Sequence, residues 1–354
     1  MKDNIEGFTY KELFSLAIEK PMMAQLEVTR NCNQSCAFCF RYCNPESRYK
    51  DRSLLEWQKI IKKLASVGVR ELNFSGGEIF LYKGIDTLFK YAKSCGIKKI
   101  VVNTNGLADL SKHDLSDIDN LIFSIHGIER VHDQITGAGG SFKIAKKSLE
   151  TALNKKCLAG INTVVTVQNI KTLKNIYDHF KGMDLLFHCF NLSIDRKKIS
   201  EGEWEGKKIF AEYLNFINTI PKDRKKLRHG LQNIVISDKK FFDSAIPLPH
   251  CAAGKYKLIV DYRGDVYPCR YFQTKKYLCG NIIKGDIKKI WKNGAGFKLF
   301  REIVLKNKTP DECQNCFKKD KCLGGCLAWR IFNKKTKNYE KDIRCKPGNA
   351  FIGS

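Results

Sequence analysis

Three cysteines, Cys32, Cys36 and Cys39, crowd the stretch "NCNQSCAFCF" in a Cys-x3-Cys-x2-Cys pattern. Thiolates three or four positions apart on a tight loop can all face one centre. A closed structural zinc site wants four ligands, and Cys43 downstream offers a fourth. An iron–sulfur cube held by three cysteines leaves one iron without a protein ligand. A disulfide framework is the third reading. The chain has 15 cysteines, an odd number, and its polar start, "MKDNIEGFTYKELF", does not read as a signal peptide. Both points favour metal over disulfides.

Other polar motifs stand out against apolar surroundings. They are Gly76-Gly77-Glu78 in "SGGE", Asn103 and Asn105 in "NTNG", and Ser124 in "IFSIHG". A second cysteine set begins at Cys251 and continues with Cys269 in "RGDVYPC". It then runs Cys313-x2-Cys316-x5-Cys322-x3-Cys326 and ends at Cys345.

The elements that must position these residues alternate in type. Strands are predicted at 23–29, 71–74, 98–106, 120–127, 161–167 and 185–194. Helices are predicted after 53, where "SLLE" has the form of a capping box, and over 85–96, 141–156 and 173–180. Trp57, Ile60, Ile61 and Leu64 follow helical spacing and give the first helix a buried face. Six strand–helix units mean a parallel sheet, and they fit a partial or complete βα barrel. In such a barrel the chemistry sits on loops at the C-terminal ends of the strands. The cysteine triplet, "SGGE" and "NTNG" fall after the first three strands. The expected organisation is an N-terminal segment at 1–20, the barrel at 21–215, a charged, helical or linking stretch at 216–250, and a cysteine-rich domain at 251–354.

The chain has 354 residues, 43% of them hydrophobic, and a formal net charge of +26. Its lysine pairs are scattered, as on a solvated surface of biased composition. Acidic peptides and nucleic acid are the other partners such a charge allows. No apolar run approaches the roughly 18 residues of a spanning helix. The expectation is a cytoplasmic protein without membrane contact.

The triplet, with Phe38 before its last cysteine, resembles the signature of the radical SAM superfamily, and "SGGE" resembles that family's second motif. The likeness covers about 20–215. It implies a partial (βα)6 TIM-like barrel and a [4Fe–4S] cluster on Cys32, Cys36 and Cys39, with its open iron chelated by S-adenosylmethionine. It implies that Gly76, Gly77 and Glu78 hold the methionine amino end, with Phe38, Asn103, Asn105 and Ser124 as further contacts. Reductive cleavage would yield a 5′-deoxyadenosyl radical that takes hydrogen from a substrate. The chain departs from the family pattern at His126, where Asp is common, at Thr136, where Arg often occurs, and at Ile79, a frequent Pro. His132 and Asp133 fit it.

The array from Cys251 onward resembles the SPASM domain, which binds two auxiliary [4Fe–4S] clusters. The resemblance implies that Cys251, Cys269 and Cys326 serve the inner cluster, with Cys279 as a candidate fourth ligand. Cys313, Cys316, Cys322 and Cys345 would close the outer one. The remaining cysteines, Cys43, Cys95, Cys157 and Cys189, have small buried roles by default. His188 and His250 read as structural.

The family implies oxidative modification or crosslinking of a peptide or protein side chain. It implies a low-potential donor such as flavodoxin or ferredoxin. Anaerobic sulfatase maturases carry Asp after the second SPASM cysteine, where this chain has Arg270, which lowers that branch. No N-terminal peptide-recognition domain is expected, so either a separate protein would bind a leader peptide or the substrate would carry no leader. Maturation of a haem, pterin or quinone cofactor is the alternative. A non-enzymatic cluster protein that binds nucleic acid is the least favoured reading.

Overall fold

The strand β1 (Met23–Thr29) shows how the sheet is built. Ala24, Leu26 and Val28 alternate with Gln25, Glu27 and Thr29. Period-two alternation puts the two sets on opposite faces. The apolar set joins the main core, whereas Gln25 and Glu27 line a buried polar lumen. The computed structural model describes residues 19–39, 43, 45–46, 48–193, 206–220, 227–229, 233–236, 252–305, 310–316, 325–332 and 339–342.

Five more parallel strands follow: β2 (Glu71–Gly76), β3 (Lys99–Thr104), β4 (Asn120–Ser124), β5 (Ala159–Val165) and β6 (His188–Leu192). They pair in chain order from β1 to β6. Helices α1 (Leu54–Ser66), α2 (Ile85–Ser94), α3 (Arg130–Thr136), α4 (Ser141–Asn154) and α5 (Leu173–Phe180) connect them. This is the expected partial (βα)6 barrel. The capping box forms at α1: Ser53 Oγ accepts from Glu56 N–H at 3.3 Å, and Ser53 N–H donates to Glu56 Oε2 at 3.0 Å. Trp57, Ile60, Ile61 and Leu64 are all buried.

Two features lie beyond the sequence reading. Helix α6 (Gly206–Asn218) is followed by β7 (Leu227–His229) and β8 (Asn233–Ile236), which extend the sheet antiparallel to β6. The run "NIVI" is short and set among charges, so its pattern alone suggests a linking stretch. Also, β9 (Lys257–Val260) pairs in parallel with β1, and β10 (Asp265–Tyr267) and β11 (Gly280–Asn281) continue from it. The C-terminal region thus shares one 11-stranded sheet with the barrel. Side chains clip the join. Lys63 Nζ donates to Ile282 O at 2.7 Å, and the Arg30 guanidinium lies 4.2 Å from the Tyr49 ring and 5.2 Å from that of Tyr262. Beyond lie α7 (Ile287–Asn293), α8 (Ala295–Leu305) and the hairpin β12 (Arg330–Phe332) with β13 (Tyr339–Asp342). Among the described residues no helix is long and apolar enough to cross a membrane.

Candidate active site

The cysteine loop leaves the C-terminal end of β1 and is seated from several sides. Gly77 N–H donates to Thr29 O at 2.7 Å, and Glu78 N–H donates to Asn31 O at 2.8 Å. Strand pairing thereby continues into "SGGE". A Cβ on Gly77 would lie 2.1 Å from Asn31 O, and one on Gly76 2.4 Å from Thr29 O, so only glycine allows the approach. The Asn31 amide clamps the far end of the loop: Oδ1 accepts from Tyr49 N–H at 2.9 Å and Nδ2 donates to Tyr49 O at 3.0 Å. On the other flank, the loop's Ser35 N–H donates to Thr136 O and its Ala37 N–H to Ile135 O, both at 2.9 Å. These are carbonyls that the end of α3 leaves without helical partners. Gly137, at φ +65°, follows them where a Cβ would lie 2.3 Å from Ser35 Oγ.

Cys32, Cys36 and Cys39 are half-buried and form no disulfide. Burial, helped by the nearby Cys39, pushes the Cys32 thiol up to about 11 and the Cys36 thiol up to about 12. Cys43 is buried and lies near Arg30. Three soft donors outside any disulfide, on one firmly seated loop, suit an iron–sulfur cluster with one iron unligated by protein. Metal binding would release the thiol protons.

Glu78 is fully buried. Its Oε1 accepts from Thr104 Oγ1 at 2.8 Å and from Phe80 N–H at 3.1 Å; its Oε2 accepts from Asn105 N–H at 2.6 Å. Burial pushes its carboxyl above the usual range against the pull of these donors. Its carboxylate ties the turn after β2 to the end of β3, while its backbone joins the cysteine loop. Asn105 completes the link: Nδ2 donates to Asn33 Oδ1 at 2.7 Å and stands 4.0 Å from Cys32 Sγ.

The lumen below carries amides. Asn103 Nδ2 donates to Asn73 Oδ1 at 2.6 Å, and Asn191 Nδ2 donates to Asn162 Oδ1. Ser124 at the end of β4 is in register with Asn162, which is in register with Cys189. Phe38 sets its ring edge against His126, centroids 4.7 Å apart, and His126 stacks on His132 at 5.8 Å. His126 N–H donates to His132 Nδ1 at 3.0 Å, and Val164 N–H donates to His126 Nδ1 at 3.1 Å. Both rings therefore accept at Nδ1 and are neutral. Burial pushes His132 down to about 4 and His126 well below its usual value. Asp133 caps the start of α4, accepting from Gly140 N–H and Phe142 N–H. His188 is buried, with Nε2 2.9 Å from Thr163 Oγ1.

In the C-terminal region, Cys269 follows β10 and has Cys326 as an electrostatic neighbour; burial pushes its thiol up to about 11. Cys326 N–H donates to the buried Asp342 carboxylate at 3.1 Å. Cys313 and Cys316 share one turn, Cys316 N–H donating to Cys313 O at 3.1 Å. Cys251, Cys322, Cys345 and His250 lie outside the described residues. Cys279 is packed in the core, its thiol donating to Tyr277 O at 3.6 Å and pushed up to about 12 by burial. The thiols of Cys269, Cys326, Cys313 and Cys316 are suitable donors for auxiliary clusters as well.

Sequence reasoning passed over Gln25, Glu27, Asn73, Asn162, Asn191 and Gln273. Glu27 Oε1 accepts from Gln273 Nε2 at 2.7 Å, tying the C-terminal region to the lumen. The signal was present in "MAQLEVT", where polar residues take every second place of an apolar strand.

Residues 26–180 match the family model of the Radical SAM superfamily, and 251–317 match that of the iron-sulfur cluster-binding domain SPASM. The chain is 27% identical to mycofactocin maturase MftC of Mycolicibacterium smegmatis, covering 91% of this chain and 82% of that protein. It is 24% identical to the AdoMet-dependent heme synthase of Oleidesulfovibrio alaskensis, covering 85% and 81%. Its fold matches that of Streptococcus suis SuiB bound to precursor peptide SuiA, with a TM-score of 0.70 at 17% identity over 93% of this chain and 76% of that one. The two domains imply a SAM-binding [4Fe–4S] cluster and auxiliary clusters. The loop seated on Gly76-Gly77-Glu78 and the C-terminal cysteine array thus have one common reading: the chain belongs to the radical SAM superfamily and is an enzyme of its SPASM-bearing branch.

Proposed function

We propose that this enzyme oxidatively modifies or crosslinks a side chain of a peptide or protein. The observation that carries this reading is the side-chain link between the lumen below the cysteine triplet and the segment that bears Cys269. Cys32, Cys36 and Cys39 stand at the C-terminal rim, and Cys269 stands on the segment that reaches Glu27 through Gln273. When bound, the cluster and SAM supply a 5′-deoxyadenosyl radical that removes hydrogen from the substrate, and the auxiliary clusters supply an acceptor for the electron left behind.

The chain's own residues do the positioning. Cys32, Cys36 and Cys39 would hold the SAM-binding cluster. The main chain at Gly76 and Gly77 and the polar groups of Asn103, Asn105 and Ser124 would face SAM. The Glu78 carboxylate keeps the rim rigid, because both its oxygens are spent on neighbouring segments. Phe38 and His126 wall off the site on the side of β4. Cys251, Cys269 and Cys326 would hold the inner auxiliary cluster; Cys313, Cys316, Cys322 and Cys345 would hold the outer one. A flavodoxin- or ferredoxin-like donor would supply the electron, and a separate recognition protein would deliver the peptide.

Two similarities support a peptide substrate: the relative named as a mycofactocin maturase and the SuiB structure, which holds a precursor peptide. The similarity to a heme synthase supports a second reading, maturation of a cofactor. Anaerobically reconstituted protein with SAM and dithionite is expected to form 5′-deoxyadenosine, and none formed sinks both readings. The peptide reading then requires a mass change in the product of a small precursor encoded beside this gene. A change only in a porphyrin or quinone precursor selects the second.

A further inference from the structure

Arg270 begins the 3-10 turn Arg270–Phe272, next to Cys269. Gln273, at the end of that turn, donates to Glu27 on the lumen face of β1. The turn therefore caps the lumen from the C-terminal side. The Arg270 guanidinium lies 5.1 Å from the Tyr271 ring and is half-buried. Its other neighbours are the thiols of Cys269 and Cys189, the latter in register with Asn162 of the lumen row. Its foremost partner is the Tyr271 hydroxyl, to which it donates a hydrogen bond, and the ion pairs of the described residues give it no carboxylate. The two lumen carboxylates are engaged elsewhere, Glu27 with Gln273 and Glu71 with Lys99 at 3.8 Å.

A partly desolvated cation is costly unless an anion meets it. A guanidinium offers a rigid fork of donors that matches a carboxylate. Its place between the inner auxiliary cysteine and the lumen wall is where a substrate approaching both would lie. We propose that Arg270 recognises a carboxylate of the substrate, on an acidic side chain or at a chain terminus, and so sets which residue faces the radical. This rests on the peptide reading above. The competing partner is the auxiliary cluster itself, through Cys269.

The probes are three equimolar hexapeptide libraries. One has Glu at a fixed position and a free C-terminus, one has Gln at that position, and one has an amidated C-terminus. Each is passed over immobilised, cluster-loaded enzyme with SAM, and retained peptide is read by mass spectrometry. The carboxylate-bearing library is expected to be retained about tenfold over the matching neutral one, the scale of a charge-assisted contact. The Gln and amide arms tell a side-chain carboxylate from a terminal one. In Arg270→Gln the ratio falls to about one, while the auxiliary-cluster potential, read by EPR, holds. The proposal is overturned by no preference in the native enzyme, by a preference that survives Arg270→Gln, or by a shifted potential with the preference intact. Iron per chain checks that the variant keeps its clusters. Should Arg270→Gln lose iron, Arg270→Lys carries the test: it keeps the charge but not the fork, and its ratio should fall about threefold. An unchanged ratio there overturns the proposal. Formation of 5′-deoxyadenosine without peptide reports the radical reading separately.

Discussion

The main-chain N–H of Asn105 donates to the buried carboxylate of Glu78 at 2.6 Å, while the Asn105 side chain reaches the cysteine loop at Asn33. One carboxylate thus couples the ends of β2 and β3 to the loop that would carry the cluster. Removing it in Glu78→Ala strands three buried donors. The expected loss is about 3 kcal/mol or more of stability, with weaker SAM retention, read by anaerobic denaturant unfolding and equilibrium dialysis. An unchanged unfolding midpoint would contradict this role.

Gly77→Ala places a methyl against Asn31 O, where no flexible side chain can yield. Overpacking of this kind costs about 1–3 kcal/mol or more. The strain falls on the cluster loop, so iron occupancy should drop by about four per chain while the auxiliary iron stays. Iron analysis and cluster EPR decide it.

Loaded protein should hold about twelve iron atoms per chain, three cubes of four. Replacing Cys32, Cys36 and Cys39 together by Ala should leave about eight and abolish 5′-deoxyadenosine formation. A native value near four would refute the auxiliary clusters.

Acid should destabilise the fold between about pH 6.5 and 4. His132 is held neutral, its value pushed down to about 4, and His188 lies lower still, at about 3. The unfolded chain binds protons there that the folded chain refuses, so stability falls as pH drops through that window. Each histidine accounts for a few kcal/mol at most, because a tenfold change in proton affinity is worth about 1.4 kcal/mol. In His132→Gln the loss over this window should shrink, measured as unfolding midpoints at stepped pH. A pH dependence equal to that of the native chain would show that His132 does not drive it.

Much of this protein was legible in one dimension. The alternation of strands and helices, the Ser53 cap and the place of each motif after its strand depend on local spacing, which the sequence states directly. The cysteine triplet was legible because its members share one loop. Other features depend on which strands become neighbours. That β9 joins the open edge of β1, that Gln273 meets Glu27 and that Arg270 stands over the lumen all link residues more than 80 positions apart in sequence. Spacing cannot encode such contacts, since they follow from sheet closure and burial. The glycines of "SGGE" show both sides. Their type was plain from the sequence. Only the tertiary structure showed that they serve first to let Asn31 and Thr29 approach, and that Glu78 spends its charge on Thr104 and Asn105 because no water reaches it.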